Sequence, residues 1–180
     1  MNRKRARSPC RFDFLMIAFD QIIYHFMTIQ KTLILLKPDA VQRDLLGKLL
    51  CRFERKGLKI VGLKFVRLTD ALLNEHYAHL ANKPFFGNLK KFMMQTPVMA
   101  LILEGLDVIE EVRKMVGSTH PHQAVPGTIR ADFSMTAPSN LIHASDSQET
   151  AEKEIKRFFK DEEIFSYEKI SDRYLIGEGI

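Results

Sequence analysis

Between Lys31 and Phe159 the chain alternates short apolar runs with stretches whose apolar residues recur every three to four positions, and few folds accept that alternation. Leu33-Ile34-Leu35-Leu36 is apolar without a break and ends at Lys37-Pro38. Proline cannot donate to a ladder and biases its predecessor to extended backbone, so this run predicts a buried strand stopped at Lys37. Leu45, Leu46, Leu49, Leu50 and Phe53 share one helical face, and Gly57 supplies a stop. Lys59–Arg67 alternates, with Val61, Leu63 and Phe65 on one side, as a strand does. Asp70 is placed to cap a helix running to about Leu80, and a second short helix is expected over Phe86–Met94. Val98–Leu103 is continuously apolar, as a central strand covered on both faces is. Asp107–Val116 gathers Val108, Val112 and Met115 on one helical face.

A long connection then runs from Gly117 to about Asn140 and carries Pro121, Pro126 and Pro138; connections of that length in a compact domain are usually functional. A short strand at Leu141–Ile142 leads into a helix from Ser147 to Phe159 that turns Ala151, Ile155, Phe158 and Phe159 inward, with Asp146 and Glu149 at its first turn. Two βαβ units sharing one sheet predict a ferredoxin-like α/β (α+β) sandwich, βαββαβ, with a four-stranded antiparallel sheet and helices packed on it. There is no internal repeat.

Composition bounds the setting. The chain has 180 residues, 46% hydrophobic and 27% charged, a soluble globular balance. Cys10 and Cys51 are too few for a disulfide framework and point to a reducing, cytoplasmic compartment. The net charge of +5 is uneven. Arg3, Lys4, Arg5, Arg7 and Arg11 precede only Asp13 and Asp20 in the first 26 residues, which leaves the remainder almost neutral. Dedicated nucleic-acid binding is therefore not expected. Residues 1–26 are expected to be an N-terminal extension, either upstream of a native start at Met27 or a poorly ordered arm, with residues 27–180 as the domain. Asp13 and Asp20 interrupt the apolar run there, unlike a signal peptide, and no later stretch resembles a membrane span.

The familiar glycine cradles for phosphate are missing: Gly57–Lys64 lacks the Gly-Lys-Ser/Thr ending, and no Gly-x-Gly-x-x-Gly occurs. A nucleotide site would have to use side chains. Asn140-Leu-Ile-His143-Ala-Ser145-Asp146 is the informative segment, a histidine closing a strand just before a helix opens. Such a junction exposes a side chain beside helix N–H groups and suits a nucleophile near an anionic substrate. On residue type alone, a capping histidine satisfied by a neighbouring carboxylate is the favoured reading and the nucleophile its competitor. His76-x-x-His79 and His120-Pro-His122 each lack the second pair that a structural zinc site needs.

Several motifs in one order resemble the nucleoside diphosphate kinase family: Lys37-Pro38-Asp39, His76-Tyr77, Lys83-Pro84-Phe85-Phe86, Pro97-Val98, Pro126-Gly-Thr-Ile-Arg130, Asp132-Phe133 and Asn140-x-x-His143-x-Ser145-Asp146. The similarity covers Lys31 to about Phe159. It implies transfer of the γ-phosphate of a nucleoside triphosphate, typically ATP, to a nucleoside diphosphate through a phosphohistidine on His143, with ping-pong kinetics. A histidine of ordinary pKa, about 6.5, is largely neutral at pH 7, as attack requires. By the same resemblance, Glu154 fixes the His143 tautomer and Ser145 holds Glu154. Arg113, Arg130 and Thr119 contact phosphate. Lys37 and Asn140 contact the sugar hydroxyls, and Lys37 also reaches the transferring phosphoryl group, with the Tyr77 hydroxyl beside it. Phe85 stacks on the base with Leu89 at its edge, while Phe86 belongs to the core. Mg²⁺ is implied as a cofactor carried by the nucleotide phosphates, with no dedicated protein ligands. The partners implied are nucleoside tri- and diphosphates and further copies of the chain, as a hexamer or tetramer.

Three alanines depart from the pattern. Ala131 and Ala144 stand where glycine is usual, and Ala137 is smaller than the aliphatic residue that often faces Phe85. Alanine at 144 is tolerated if its φ is negative, and Ala137 is expected to loosen base binding. The competing class is a catalytically weak homologue that binds nucleotide or nucleic acid, which intact His143, Lys37, Arg113, Arg130 and Asn140 argue against.

Overall fold

The structure is a computed structural model, and it describes residues 28–175. The expected boundary between residues 1–26 and the rest lies outside them. Four strands, β1 (Ile29–Leu36), β2 (Lys59–Val66), β3 (Val98–Leu106) and β4 (Ile142–Ala144), form one sheet in the order β2-β3-β1-β4. Every pairing is antiparallel, which is the ferredoxin-like arrangement.

Both faces of this sheet are covered, and the continuous apolar runs follow from that. Ile34, Leu36, Leu101 and Leu103 point into one core with Leu49 and Phe53 of α2 (Leu46–Lys56) and Val108, Val112 and Val116 of α5 (Val108–Val116). Their neighbours Leu33, Leu35, Ala100 and Ile102 point into the other, with Leu73 of α3 (Asp70–His76), Met93 of α4 (Phe86–Met93) and Phe158 of α7 (Gln148–Phe158). Each fully buried leucine or isoleucine contributes about 1.5–3 kcal/mol. Helix α2 stops at Gly57, whose φ of 94° is left-handed, as glycine there requires.

The structure corrects several local expectations. Pro38 starts an unforeseen short helix, α1 (Pro38–Gln42), because a proline in the first turn costs no hydrogen bond. Thr69, not Asp70, caps α3 by accepting from Leu72 N–H, and the helix ends at His76 before a 3₁₀ turn. The long connection contains a 3₁₀ turn at Pro121–Gln123 and helix α6 (Ile129–Phe133), capped by Thr128. A bulge at Val61 splits the predicted apolar face of β2: Val61 is buried in the second core, whereas Leu63 and Phe65 are 47% and 56% exposed. Beyond α7 the chain turns back over the bulged half of β2, where Phe165 N–H donates to Val61 O at 2.7 Å and the Tyr167 hydroxyl to Ile60 O at 2.9 Å. A last short helix, α8 (Asp172–Leu175), sets Leu175 against Gly57.

Candidate active site

Strand β4 begins one residue later than expected and contains His143, which pairs across from Leu35 instead of closing the strand. The reason is Leu141. Its φ of 67° is left-handed, a conformation that costs a branched residue about 1–2 kcal/mol. Two hydrogen bonds hold it there: Lys37 N–H donates to Leu141 O at 2.8 Å, and Leu141 N–H donates to Asp39 Oδ2 at 3.0 Å. Ile142 then enters the first core, so alternation turns His143 to the opposite face, toward α3 and α7. Ala131 and Ala144 lie outside the left-handed region, where among non-glycine described residues only Asp44, Asp107 and Leu141 are found.

The His143 ring meets α7 through Nε2, 2.9 Å from Glu154 Oε1. An ionised carboxylate only accepts, so the ring proton sits on Nε2 and Nδ1 keeps its lone pair. Glu154 is itself held: the Ser145 hydroxyl donates to Oε2 at 2.6 Å and accepts from Leu33 N–H at 3.2 Å. Burial pushes the Glu154 carboxyl up, but the bonds from His143 and Ser145 and the nearby His76 outweigh it and hold it below the usual range. Glu154 reaches this point because Ser147 caps α7 by accepting from Thr150 N–H, and seven residues on, two turns later, Glu154 faces the sheet.

Cations gather on one side of His143. The Lys37 ammonium donates to Asn140 Oδ1 at 2.6 Å, and Asn140 Nδ2 donates to Thr119 O at 3.1 Å, so these three form a chain. Burial, reinforced by Arg130 and partly offset by Asp39, lowers the Lys37 pKa to about 8. Arg130 spans three segments, donating through Nη1 to Gly117 O at 2.9 Å and through Nη2 to Ile142 O at 2.7 Å, with Nε 3.4 Å from Asn140 O. Burial and the adjacent Arg113 lower its pKa to about 10, so it remains a cation at neutral pH. Tyr77 is buried with its ring edge-on to His143 at 6.3 Å, and burial with the Glu154 charge raises its pKa, which keeps the hydroxyl a donor.

His143, Glu154, Lys37, Tyr77, Thr119, Asn140, Arg113 and Arg130 line one cavity of about 1280 Å³, and Ser145 sits behind Glu154. Phe85 and Leu89 line the same cavity, with Ala137 and Pro138 also in the wall. Phe85 is 52% exposed, a free aromatic face, whereas Phe86 is half-buried against the second core. The structure thus brings together every residue predicted for the site. It adds two that carried no assigned role. Asp39, inside the Lys37-Pro38-Asp39 motif, holds Leu141, and His76 lies against His143 with ring centroids 4.7 Å apart. Burial, with His143 nearby, drops the His76 pKa to about 3. The motifs that contain them were the only signal for either.

Comparison with known proteins gives one answer. Residues 30–164 match the family model for nucleoside diphosphate kinase. A nucleoside diphosphate kinase from Parabacteroides distasonis is 55% identical over 139 residues, 77% of this chain and 91% of the relative. Among solved structures, a Halobacterium salinarum nucleoside diphosphate kinase in complex with CDP aligns with a TM-score of 0.80 at 41% identity, over 82% of this chain and 99% of that one. A Borrelia burgdorferi nucleoside-diphosphate kinase, a transition state mimic with bound vanadate and ADP, aligns with a TM-score of 0.76 at 38% identity, covering 82% and 98%.

Proposed function

Since this chain belongs to the nucleoside diphosphate kinase family, and is a phosphotransferase, we propose that His143 carries the phosphoryl group between nucleotides. The observation behind this reading is the Ser145–Glu154–His143 line, which opens into a cation-lined cavity with its free Nδ1 as the reactive atom. The Nδ1 lone pair attacks the γ-phosphorus of a nucleoside triphosphate. The new N–P bond forms as the bridging O–P bond breaks, and the electron pair leaves on the terminal oxygen of the departing diphosphate. A second nucleoside diphosphate enters the same cavity and reverses the step on its own terminal oxygen. Glu154 steadies the Nε2 proton as charge develops on the ring. Lys37, Arg113 and Arg130 neutralise phosphate charge, with Thr119 beside them; Lys37 and Asn140 also meet the sugar hydroxyls, and Tyr77 donates near Lys37. Phe85 stacks on the base and Leu89 closes its edge, contacts that any base accepts through its π face.

Mg²⁺ fits as a passenger of the substrate. The carboxylates that line the cavity are Glu154, bonded to His143 and Ser145, and the exposed Asp146, too few for the octahedral oxygen cage of Mg²⁺, so phosphate oxygens would supply the donors a hard cation prefers. When bound it would neutralise charge on the β- and γ-phosphates. The working form is proposed to be a cytoplasmic hexamer or tetramer, built from the domain at residues 27–180. Among the described residues no helix is long and apolar enough to cross a membrane.

The test is single turnover. Incubation with γ-labelled ATP and Mg²⁺, without acceptor, is expected to leave one acid-labile, base-stable phosphate per chain that an added nucleoside diphosphate discharges. His143→Ala is expected to take no label. Labelling of His143→Ala, or none of the folded native chain, would overturn the reading.

A further inference from the structure

The His143–Glu154 pair has a third neighbour to which the proposed transfer assigns no step. His76 ends α3 with its ring buried and nearly perpendicular to His143, at 76°. Its Nδ1 lies 3.6 Å from the same Glu154 Oε1 that His143 Nε2 approaches at 2.9 Å. Arg157 Nη1 also points at this Nδ1, at 3.5 Å. Arginine only donates, so Nδ1 presents a lone pair and the ring proton sits on Nε2, which is buried with no partner. Nδ1 and Oε1 therefore face each other 3.6 Å apart, each with one other contact, Arg157 Nη1 and His143 Nε2 respectively. A cation between them would draw a lone pair from each.

The identity of the cation follows from the donors. The available atoms of His76, His143 and Glu154 all lie within 4.8 Å of one another. Two imidazoles and one carboxylate, with a fourth position left for water, is a donor set that zinc-like d-block ions take at about 2.0–2.2 Å. Tetrahedral bonds of that length set donors about 3.3 Å apart, between the separations already present. The open position faces the cavity that all three residues line. Ser145 supplies the supporting bond to the carboxylate's other oxygen, as outer-shell partners do. Mg²⁺ prefers oxygen in octahedral geometry and does not compete here.

We propose that His76, His143 and Glu154 form a binding site for a zinc-like divalent cation, and that its occupation turns His143 off. The metal bonds to His143 Nε2, and the proton held there moves to Nδ1, so no net proton leaves the ring. Nδ1 then has no lone pair with which to attack phosphorus. The inhibitory half rests on His143 as nucleophile; the binding half does not.

The nucleotide-free enzyme is titrated with Co²⁺, whose visible absorption reports tetrahedral coordination, and then with Zn²⁺ to displace it. One ion per chain is expected. His143→Asn is expected to abolish the signal and His76→Gln to weaken binding by about tenfold or more, with melting curves showing both variants folded. Glu154→Gln takes the place of His76→Gln if that variant does not fold. Zn²⁺ added before γ-labelled ATP and excess Mg²⁺ is expected to block labelling, and a chelator to restore it. Absence of tetrahedral Co²⁺ absorption, or unchanged affinity in His76→Gln, would overturn the site. Binding of Co²⁺ by a chain that never labels, even without Zn²⁺, would overturn the kinase reading and leave the metal site standing.

Discussion

Lys37 is a buried cation, and its chemistry should be visible in kinetics. With a pKa near 8 in the free enzyme, its ammonium is charged at pH 7 and lost as pH rises through 8. kcat/KM, which reports the free enzyme, is therefore expected to fall above pH 8, toward tenfold per unit, if the charge is needed. Lys37→Arg keeps its charge at any working pH and is expected to remove that alkaline limb, at a lower plateau. His76 offers a second test. Its folded pKa of about 3 lies below the ordinary 6.5, so the unfolded chain binds the extra proton between those values. Stability from the neutral ring is complete above pH 6.5 and drains away as pH falls toward 3, by about 1.4 kcal/mol per unit. Urea denaturation at pH 7 and pH 5 is expected to show a drop about 2 kcal/mol smaller in His76→Gln than in the parent. At this scale the motifs named the participants and, by resemblance, the Ser145–Glu154–His143 line, but not the place of His76. His76 and His143 are far apart along the chain, and only the packing of α3 against β4 makes them neighbours.

At the scale of elements, the site depends on backbone states that few residue types tolerate. Gly117 has φ 83° and ψ 178°, and its carbonyl anchors the Arg130 guanidinium. A Cβ there would stand 2.4 Å from the Oγ1 of Thr128, the residue that caps α6 and so aims Arg130. Gly117→Ala is expected to cost more than about 2 kcal/mol, from backbone strain of about 1–3 kcal/mol plus the clash. It should also raise KM for nucleotides as Arg130 shifts; urea melts and steady-state kinetics check the two effects. The main strands and the longer helices were legible because their apolar periods are unambiguous. Leu141 was not: leucine carries no mark of a left-handed φ, which arises here from its bonds to Lys37 and Asp39. Nor did alternation in β2 reveal the bulge at Val61, since an inserted residue inverts the faces without changing composition. The cap at Thr128 was readable in principle, but helix α6 is too short for a period to emerge.

For the whole molecule, the open question of assembly meets a physical constraint. One edge of the sheet is β2, and the returning chain hydrogen-bonds its backbone at Ile60 and Val61, in the bulged half. Past the bulge, Leu63 and Phe65 leave an apolar stretch beside the edge. Free apolar edges recruit other strands. Phe65→Asp is expected to reduce the assembled mass in light scattering toward that of one chain, while single-turnover labelling of His143 persists. An unchanged assembly mass would place the interface elsewhere. The fold class was legible at this scale because element order alone selects it. The identity of the neighbouring surface was not, because exposure follows from the bulge.

Use of one cavity for both nucleotides has a thermodynamic consequence. On the proposed reading, giver and receiver of the phosphoryl group dock in turn in one cavity, lined by Phe85, Lys37, Arg113 and Arg130, and the bond broken is of the same kind as the bond made. Because the bonds exchanged are alike, equilibrium favours neither direction, and a catalyst does not shift it. The protein acts as a leveller, and net flux runs from whichever nucleotide pool holds the higher triphosphate-to-diphosphate ratio toward the lower. Reshaping the wall at Phe85 or Ala137 would change how quickly a given base joins the exchange, and leave the final ratios where mass action puts them.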